Sequence, residues 1–230
     1  MLKATKILLL LYVKLSLNSN LLPSLSLTNQ LLVLSDIHGQ YDLLVEALEP
    51  LYHHNYELVI LGDLFDRATP GGDSLVLDLL WRIQANPGDF GFSKVTILRG
   101  NHEDMLIRAI EQGPNSSAYE LWIYNGGDPA FYKEAGYNVD WLKSLPLYYV
   151  KDDYLFVHAG VMPGVPLNEQ HHSDLVWIRE PFLDEEDHGL PYYVVHGHTP
   201  VLEVDVHPNR MNIDTGSFFS GNLSTVLLPV

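Results

Sequence analysis

Six oxygen- or imidazole-bearing side chains stand where apolar runs of this sequence end. Leu31 to Gly39 reads LLVLSDIHG, a buried strand and then a turn that brings out Asp36 and His38. Glu57 to Leu61 is a second such run and leads into GDLFDR, where Asp63 closes the strand. Val95 to Leu98 leads into RGNHE, with Asn101 and His102. Further on, YLFVHAG ends in His158 and YYVVHGHT in His198. Asp36, His38, Asp63, Asn101, His158 and His198 form a set of two Asp, one Asn and three His. Mixed oxygen and imidazole donors suit manganese, iron or zinc better than magnesium or calcium. The chain has no cysteine to select a softer ion. Asp36 and His38 are two residues apart, so on extended chain both point the same way. Together these residues suggest one site, fed by many strands, that holds two divalent cations.

Such residues converge only if the strands end along one edge. Each early motif sits where a strand ends and a helix is about to start, the place where ligand sites form in open α/β sheets. Tyr41 to Tyr52 carries a helical stripe of Leu43, Leu44, Ala47, Leu48 and Leu51. Ser74 to Gln84 is helical by period, and a helix runs from RGNHE to about Gln112. Asn115 to Tyr124 predicts another, closed by Gly126 and Gly127. Trp141 to Leu145 reads as a short helical turn before Pro146. After it the character changes. LYYV, a KDD turn and YLFVHAG predict a hairpin. Met162 to Gly189 reads mostly as loop, with an apolar piece at Leu175 to Ile178. YYVVHGHT, VLEVDV, RMNID and LSTVLL follow as short strands. The first half alternates β and α, and the second is mostly β. That predicts a mixed α/β fold with helices outside a pair of packed, mixed sheets.

At 230 residues the chain can build one sizeable core, and a single domain is expected. Its 13 Lys and Arg against 29 Asp and Glu leave a net charge of −16. Such a surface repels phosphate backbones and anionic lipid heads, which argues against nucleic-acid or membrane binding. A phosphate site here must create its own local positive charge. The lack of cysteine removes disulfides and any thiol nucleophile. Lys3 and Lys6 precede an apolar run, Ile7 to Val13, in the manner of a short signal peptide. Lys14 ends that run early, and no small-x-small cleavage site follows. Residues 1 to 30 are therefore expected to be a poorly ordered extension before a domain of residues 31 to 230, in a cytoplasmic monomer.

SDIHG, GDLFDR, RGNHE, VHAG and HGHT occur in that order between Ser35 and Thr199. As a set they resemble the metal-dependent phosphoprotein phosphatases within the calcineurin-like metallophosphoesterases. The small lambda-phage type and its bacterial relatives are the nearest likeness. WIYNGG, VWIRE and NIDTGSFFSGNL extend the resemblance over nearly everything after Leu31. The resemblance implies a β-sandwich of two mixed sheets with helices outside, and two divalent ions, manganese first and iron or zinc as alternatives. Asp36, His38 and Asp63 would hold one ion. Asp63 would bridge to a second, completed by Asn101, His158 and His198. A metal-bridging water or hydroxide would attack phosphorus in line. His102 would protonate the leaving oxygen, with Asp66 orienting its ring. Arg67, Arg99 and Arg179 would bind the phosphoryl group, for which arginine's planar fork is suited.

Other readings of single residues stand beside these. Arg99 and Arg179 could each be structural ion pairs. His196 reads as packing or surface, with a supporting role behind the ligands as the sharper alternative. His171 and His172 read as solvated loop, and His53, His54, His188 and His207 as surface or turn. Two departures from the family pattern are the Ala68 that follows Asp66-Arg67 and the Ser35 that opens the first motif; each stands where glycine is usual. The leading functional reading is hydrolysis of phosphoserine or phosphothreonine monoesters in proteins, toward which Glu103 leans by resemblance. A diadenosine polyphosphate hydrolase with the same centre is the alternative substrate class. A domain that binds phosphoproteins without turnover is the alternative in kind.

Overall fold

The computed structural model describes residues 30 to 229. The expectations for Ile7 to Val13 and for the extension up to residue 29 lie outside the described residues. Strand β1 (Gln30–Leu34) is followed by α1 (Tyr41–Leu48), β2 (Glu57–Ile60), α2 (Gly72–Ala85) and β3 (Lys94–Ile97). Parallel strands need long crossovers, and the two helices supply them. Four helices come next: α3 (Asn101–Gln112), α4 (Ser117–Tyr124), α5 (Tyr132–Tyr137) and α6 (Val139–Ser144). Then come β4 (Tyr148–Lys151), β5 (Tyr154–Val157), α7 (His172–Trp177), β6 (Tyr193–His196), β7 (Asp205–Val206), β8 (Arg210–Asn212), α8 (Ser217–Ser220) and β9 (Thr225–Pro229).

Two mixed sheets result, as expected, in the orders β3-β2-β1-β9 and β4-β5-β6-β8-β7. Strand β1 is apolar on both faces because both are covered. Leu31 and Val33 meet Phe156, Val195 and Met211 of the other sheet, and Leu32 and Leu34 meet the helices through Leu44, Leu48, Val76 and Leu80. The outer face of the second sheet is closed by the segment after β5, through Val161, Leu175, Ile178 and Phe182.

Three differences from the sequence reading have local causes. Helix α1 stops at Leu48 and tightens into a 3₁₀ turn at Glu49–Leu51, since Pro50 cannot continue it. VLEVDV yields only the two-residue β7, because Val201 donates its N–H to the Asp214 carbonyl (2.9 Å) and Leu202 turns out to solvent. The apolar piece expected at Leu175 to Ile178 falls largely in α7, whose first bonds run from Asp174 and Leu175 N–H to the His171 carbonyl. Helix α5 stands where no element was expected.

Candidate metal centre

The six expected donors come to one end of the sandwich, each on the link that leaves a strand. The β1 link bends rather than continuing extended, and His38 has φ 48°. The common direction of Asp36 and His38 therefore comes from the turn, not from strand alternation. The N–H groups of Ile37 and His38 both donate to the Asp63 carbonyl (2.9 Å each), which locks the first motif to the second. Asp63, Asp66, Arg67 and His198 also have positive φ, at 49°, 71°, 63° and 68°. Asp and His tolerate this region better than most side chains, and backbone strain collects at functional sites.

Two groups of convergent donors share one carboxylate: His38, Asp63 and His102, and Asp63, His158 and His198. Backbone carbonyls set the ring tautomers. His38 Nδ1–H donates to the Phe65 carbonyl and His158 Nδ1–H to the Leu61 carbonyl (3.0 Å each), so the Nε2 of each carries a lone pair. That lone pair of His158 faces the Asn101 amide oxygen at 2.9 Å and Asp63 Oδ1 at 3.4 Å. His198 Nδ1 is 2.9 Å from the same amide oxygen and 3.2 Å from His158 Nε2. Acceptors facing acceptors repel in a buried place. A cation among them, or the Asn101 NH₂ turned inward, satisfies such a cluster. Burial pushes the Asp63 carboxyl well above its ordinary range, and the charges of Asp36 and Glu103 push it further. Burial lowers His38 and His158 and takes His198 down to about 2, so these imidazoles are neutral, the form a cation binds. The donors therefore fit divalent metal. Asp36 stands at the margin of this cluster. Its carboxylate accepts the His198 N–H (3.2 and 3.3 Å) and the Ser35 hydroxyl, so the residue in the glycine position of the first motif braces Asp36.

His102 and Asp66 meet as expected, Nδ1 to Oδ2 at 2.6 Å. Burial raises Asp66 to about 7 and lowers His102. A protonated Asp66 can give its hydrogen to Nδ1, which leaves the ring proton on Nε2. That atom is 3.9 Å from Asp63 Oδ2 and so faces the donor cluster. Trp122 fixes the other Asp66 oxygen through Nε1–H (2.8 Å), and the Asp66 N–H donates to Asp73 Oδ1 (3.0 Å). Ala68 does no harm to this turn: the left-handed residues are Asp66 and Arg67, and 68 is not among them.

The three arginines part company. The Arg67 guanidinium donates to His38 Nε2 (2.9 Å) and lies over the Phe218 ring. Arg179 reaches the His198 carbonyl at 3.5 Å. Arg99 is turned to Asp104 (3.4 Å) and the Lys143 carbonyl. His196 is fully buried against Phe182, and His188 is buried too, so neither is at the surface. His172 pairs with Asp104.

Sequence reasoning passed over the main brace of the site. Glu103 accepts the N–H groups of Asp63 (2.9 Å), Leu64 (2.8 Å) and Gly100 (2.8 Å). Its place three residues after Gly100 is the acidic position of a capping box, which could have been read from RGNHE. Ser217 also went unread: its hydroxyl donates to the Asp36 and Ile37 carbonyls (2.6 and 3.1 Å), tying the NIDTGS motif to the first one.

The calcineurin-like phosphoesterase family model matches residues 30 to 225. The chain is 30% identical over 214 residues to serine/threonine-protein phosphatase 2 of Escherichia coli, covering 84% of this chain and 89% of the relative. It is 30% identical over 211 residues to serine/threonine-protein phosphatase 1 of Salmonella typhimurium, covering 84% and 88%. A bis(5'-nucleosyl)-tetraphosphatase of Bacillus thuringiensis is 24% identical over 232 residues, covering 86% and 89%. Among solved structures, a cold-active protein tyrosine phosphatase aligns at TM-score 0.65 and 18% identity, over 90% of this chain and 76% of the other. A serine/threonine phosphatase of Saccharomyces cerevisiae aligns at 0.63 and 17%, over 89% and 74%, and these two show the shared fold. With its strand-end ligand motifs, two mixed sheets and a buried His/Asp cluster fit for divalent metal, the chain belongs to the calcineurin-like metallophosphoesterases, a family of hydrolases.

Proposed function

We propose that the protein is a two-metal phosphatase that removes phosphate from phosphoserine or phosphothreonine in proteins. The observation that carries the reading is the sharing of Asp63 by two groups of convergent, buried donors. When bound, two divalent cations, manganese first, would activate water and neutralise the phosphoryl oxygens. Asp36, His38 and Asp63 would hold one, and Asp63, Asn101, His158 and His198 the other. The protein's own residues do the rest. Arg67 and Arg179 draw the phosphoryl group in against the −16 net charge. Arg67 does so by releasing His38 Nε2, and Arg99 can join them only by leaving Asp104. His102 gives its Nε2 proton to the leaving oxygen as its Nδ1 takes the proton of Asp66, whose carboxyl Trp122 holds in place.

The two relatives at 30% identity support a phosphoprotein substrate, and the tetraphosphatase relatives keep a dinucleotide substrate as the second reading. Chelator-stripped protein reloaded with manganese is tested for phosphate release from a phosphothreonine peptide and for cleavage of diadenosine tetraphosphate, with Asp63→Asn as control. The expected result is metal-dependent release from the peptide that disappears in the variant. Cleavage of the dinucleotide alone would transfer the assignment to the second reading. No turnover of either by metal-loaded protein would overturn the catalytic assignment.

A further inference from the structure

Arg210 is a buried arginine outside the donor cluster, with 4% of its surface exposed. Burying a guanidinium is costly unless its fork is used in several directions. Here it is. Nη1 faces Asp205 Oδ2 (3.4 Å) and His196 Nε2 (3.5 Å), Nη2 donates to the Leu183 carbonyl (3.0 Å), and the Phe182 ring lies 5.9 Å below the guanidinium carbon. Asp205 is 41% exposed at its side chain, so a solvated carboxylate would have sufficed to balance the charge at the surface.

The bond to Leu183 is the informative one. Leu183 closes the turn that begins at Arg179, through Leu183 N–H to the Arg179 carbonyl (2.9 Å). Arg179 in turn reaches the His198 carbonyl. His198 leaves β6, and β6 pairs in register with β8, Val194 opposite Arg210. The contacts thus form a closed ring: β8, Arg210, the 179 to 183 turn, Arg179, His198, β6. The turn's other anchors are the buried Phe182 ring, which fills the space a Cβ on Gly160 would take, and the Asn209 amide on the Glu185 carbonyl (3.2 Å). Phe182 holds the turn down. Neither of these aims Arg179.

We propose that Arg210 is a positioning residue: its fork fixes the 179 to 183 turn against β8 so that the Arg179 guanidinium faces the phosphoryl group. This rests on the reading of Arg179 as a phosphate ligand. Losing the fork lets the turn rock, and phosphate affinity falls while the metal donors stay in place. Lysine keeps the charge beside Asp205 but cannot also reach Leu183.

The probe is inorganic phosphate, titrated calorimetrically into manganese-loaded protein. The variants are Arg179→Met, Arg210→Lys, Arg210→Met and the pair Arg179→Met with Arg210→Met. Arg179→Met should weaken phosphate about tenfold and Arg210→Met about fivefold, with Arg210→Lys between it and wild type. The double variant should bind no more weakly than Arg179→Met alone, and manganese affinity should not change in the single Arg210 variants. Arg210→Lys carries the test if Arg210→Met does not fold. Wild-type phosphate affinity in the Arg210 variants, or losses that multiply in the double variant, would overturn the proposal. An Arg179→Met protein with undiminished phosphate affinity would remove the role of Arg179 itself, and the Arg210 proposal with it.

Discussion

The decisive single contact is the 2.6 Å bond between His102 and Asp66, because it determines which ring nitrogen faces the site. A proton donor matters most where the leaving oxygen is a poor anion. His102→Asn should therefore lower kcat on a phosphothreonine peptide by about 10²- to 10⁴-fold. The loss should be much smaller on p-nitrophenyl phosphate, whose leaving oxygen is stable unprotonated. Turnover numbers of the variant on both substrates check this, and equal losses would assign His102 to some other task. His102 and Asp66 could be named from RGNHE and GDLFDR. Trp122, which donates to Asp66 from 56 residues further along, could not, since nothing local in WIYNGG points at a carboxylate.

At the scale of elements, the site depends on how closely the β2 and β3 links pack. A Cβ on Gly100 would lie 2.2 Å from Asp63 Oδ1 and 2.5 Å from Asp63 N. Gly100 has φ −98°, so space and not backbone freedom demands glycine there. Gly100→Ala should abolish manganese binding with the helical circular dichroism retained. Metal titration by calorimetry is the check, and normal affinity would mean that the links yield. Glu103 joins the same links by accepting three backbone N–H groups. Glu103→Ala should cost about 2–4 kcal/mol in urea unfolding, since buried donors are left without partners. The strands and long helices were legible because their apolar spacing is a local property. VLEVDV was misread because alternation cannot say whether a neighbouring strand is there to pair with it.

For the molecule as a whole, burial of carboxyl groups links stability to pH. Asp73 is 3% exposed, and burial, with the Asp66 charge beside it, raises its carboxyl from 3.8 to about 7. A folded-state pKa above the unfolded value means that the fold holds this proton more tightly. Its contribution is full below about pH 4 and is lost as pH rises to about 7. Asp73→Asn should therefore gain stability over wild type as pH rises through that window and hold a constant advantage above it. The gain is at most about 4 kcal/mol, the worth of three pKa units. Melting temperatures of the two chelator-treated proteins from pH 4 to 8 measure it, and parallel curves would show that Asp73 titrates normally. Burial raises Asp66, Glu103 and Asp214 as well, to about 7, 7 and 8. Divalent metal should raise the melting temperature most at the alkaline end, because these carboxyls are then charged and a cation binds only the native arrangement.

The sequence by itself determined the donors and their order, because ligand chemistry is a matter of residue type and each type stands at the end of a recognisable apolar run. It also determined the alternation that makes two packed sheets. Only the tertiary structure decided which nitrogen of His38 and of His158 is a lone pair, since Phe65 and Leu61 carbonyls make that choice from other segments. It decided that Arg99 faces Asp104, that His188 and His196 are interior, that Glu103 binds the N–H of Asp63, and that Arg210 holds the Leu183 carbonyl. Those are contacts between links far apart in the chain, and their geometry exists only once the two sheets have closed on each other.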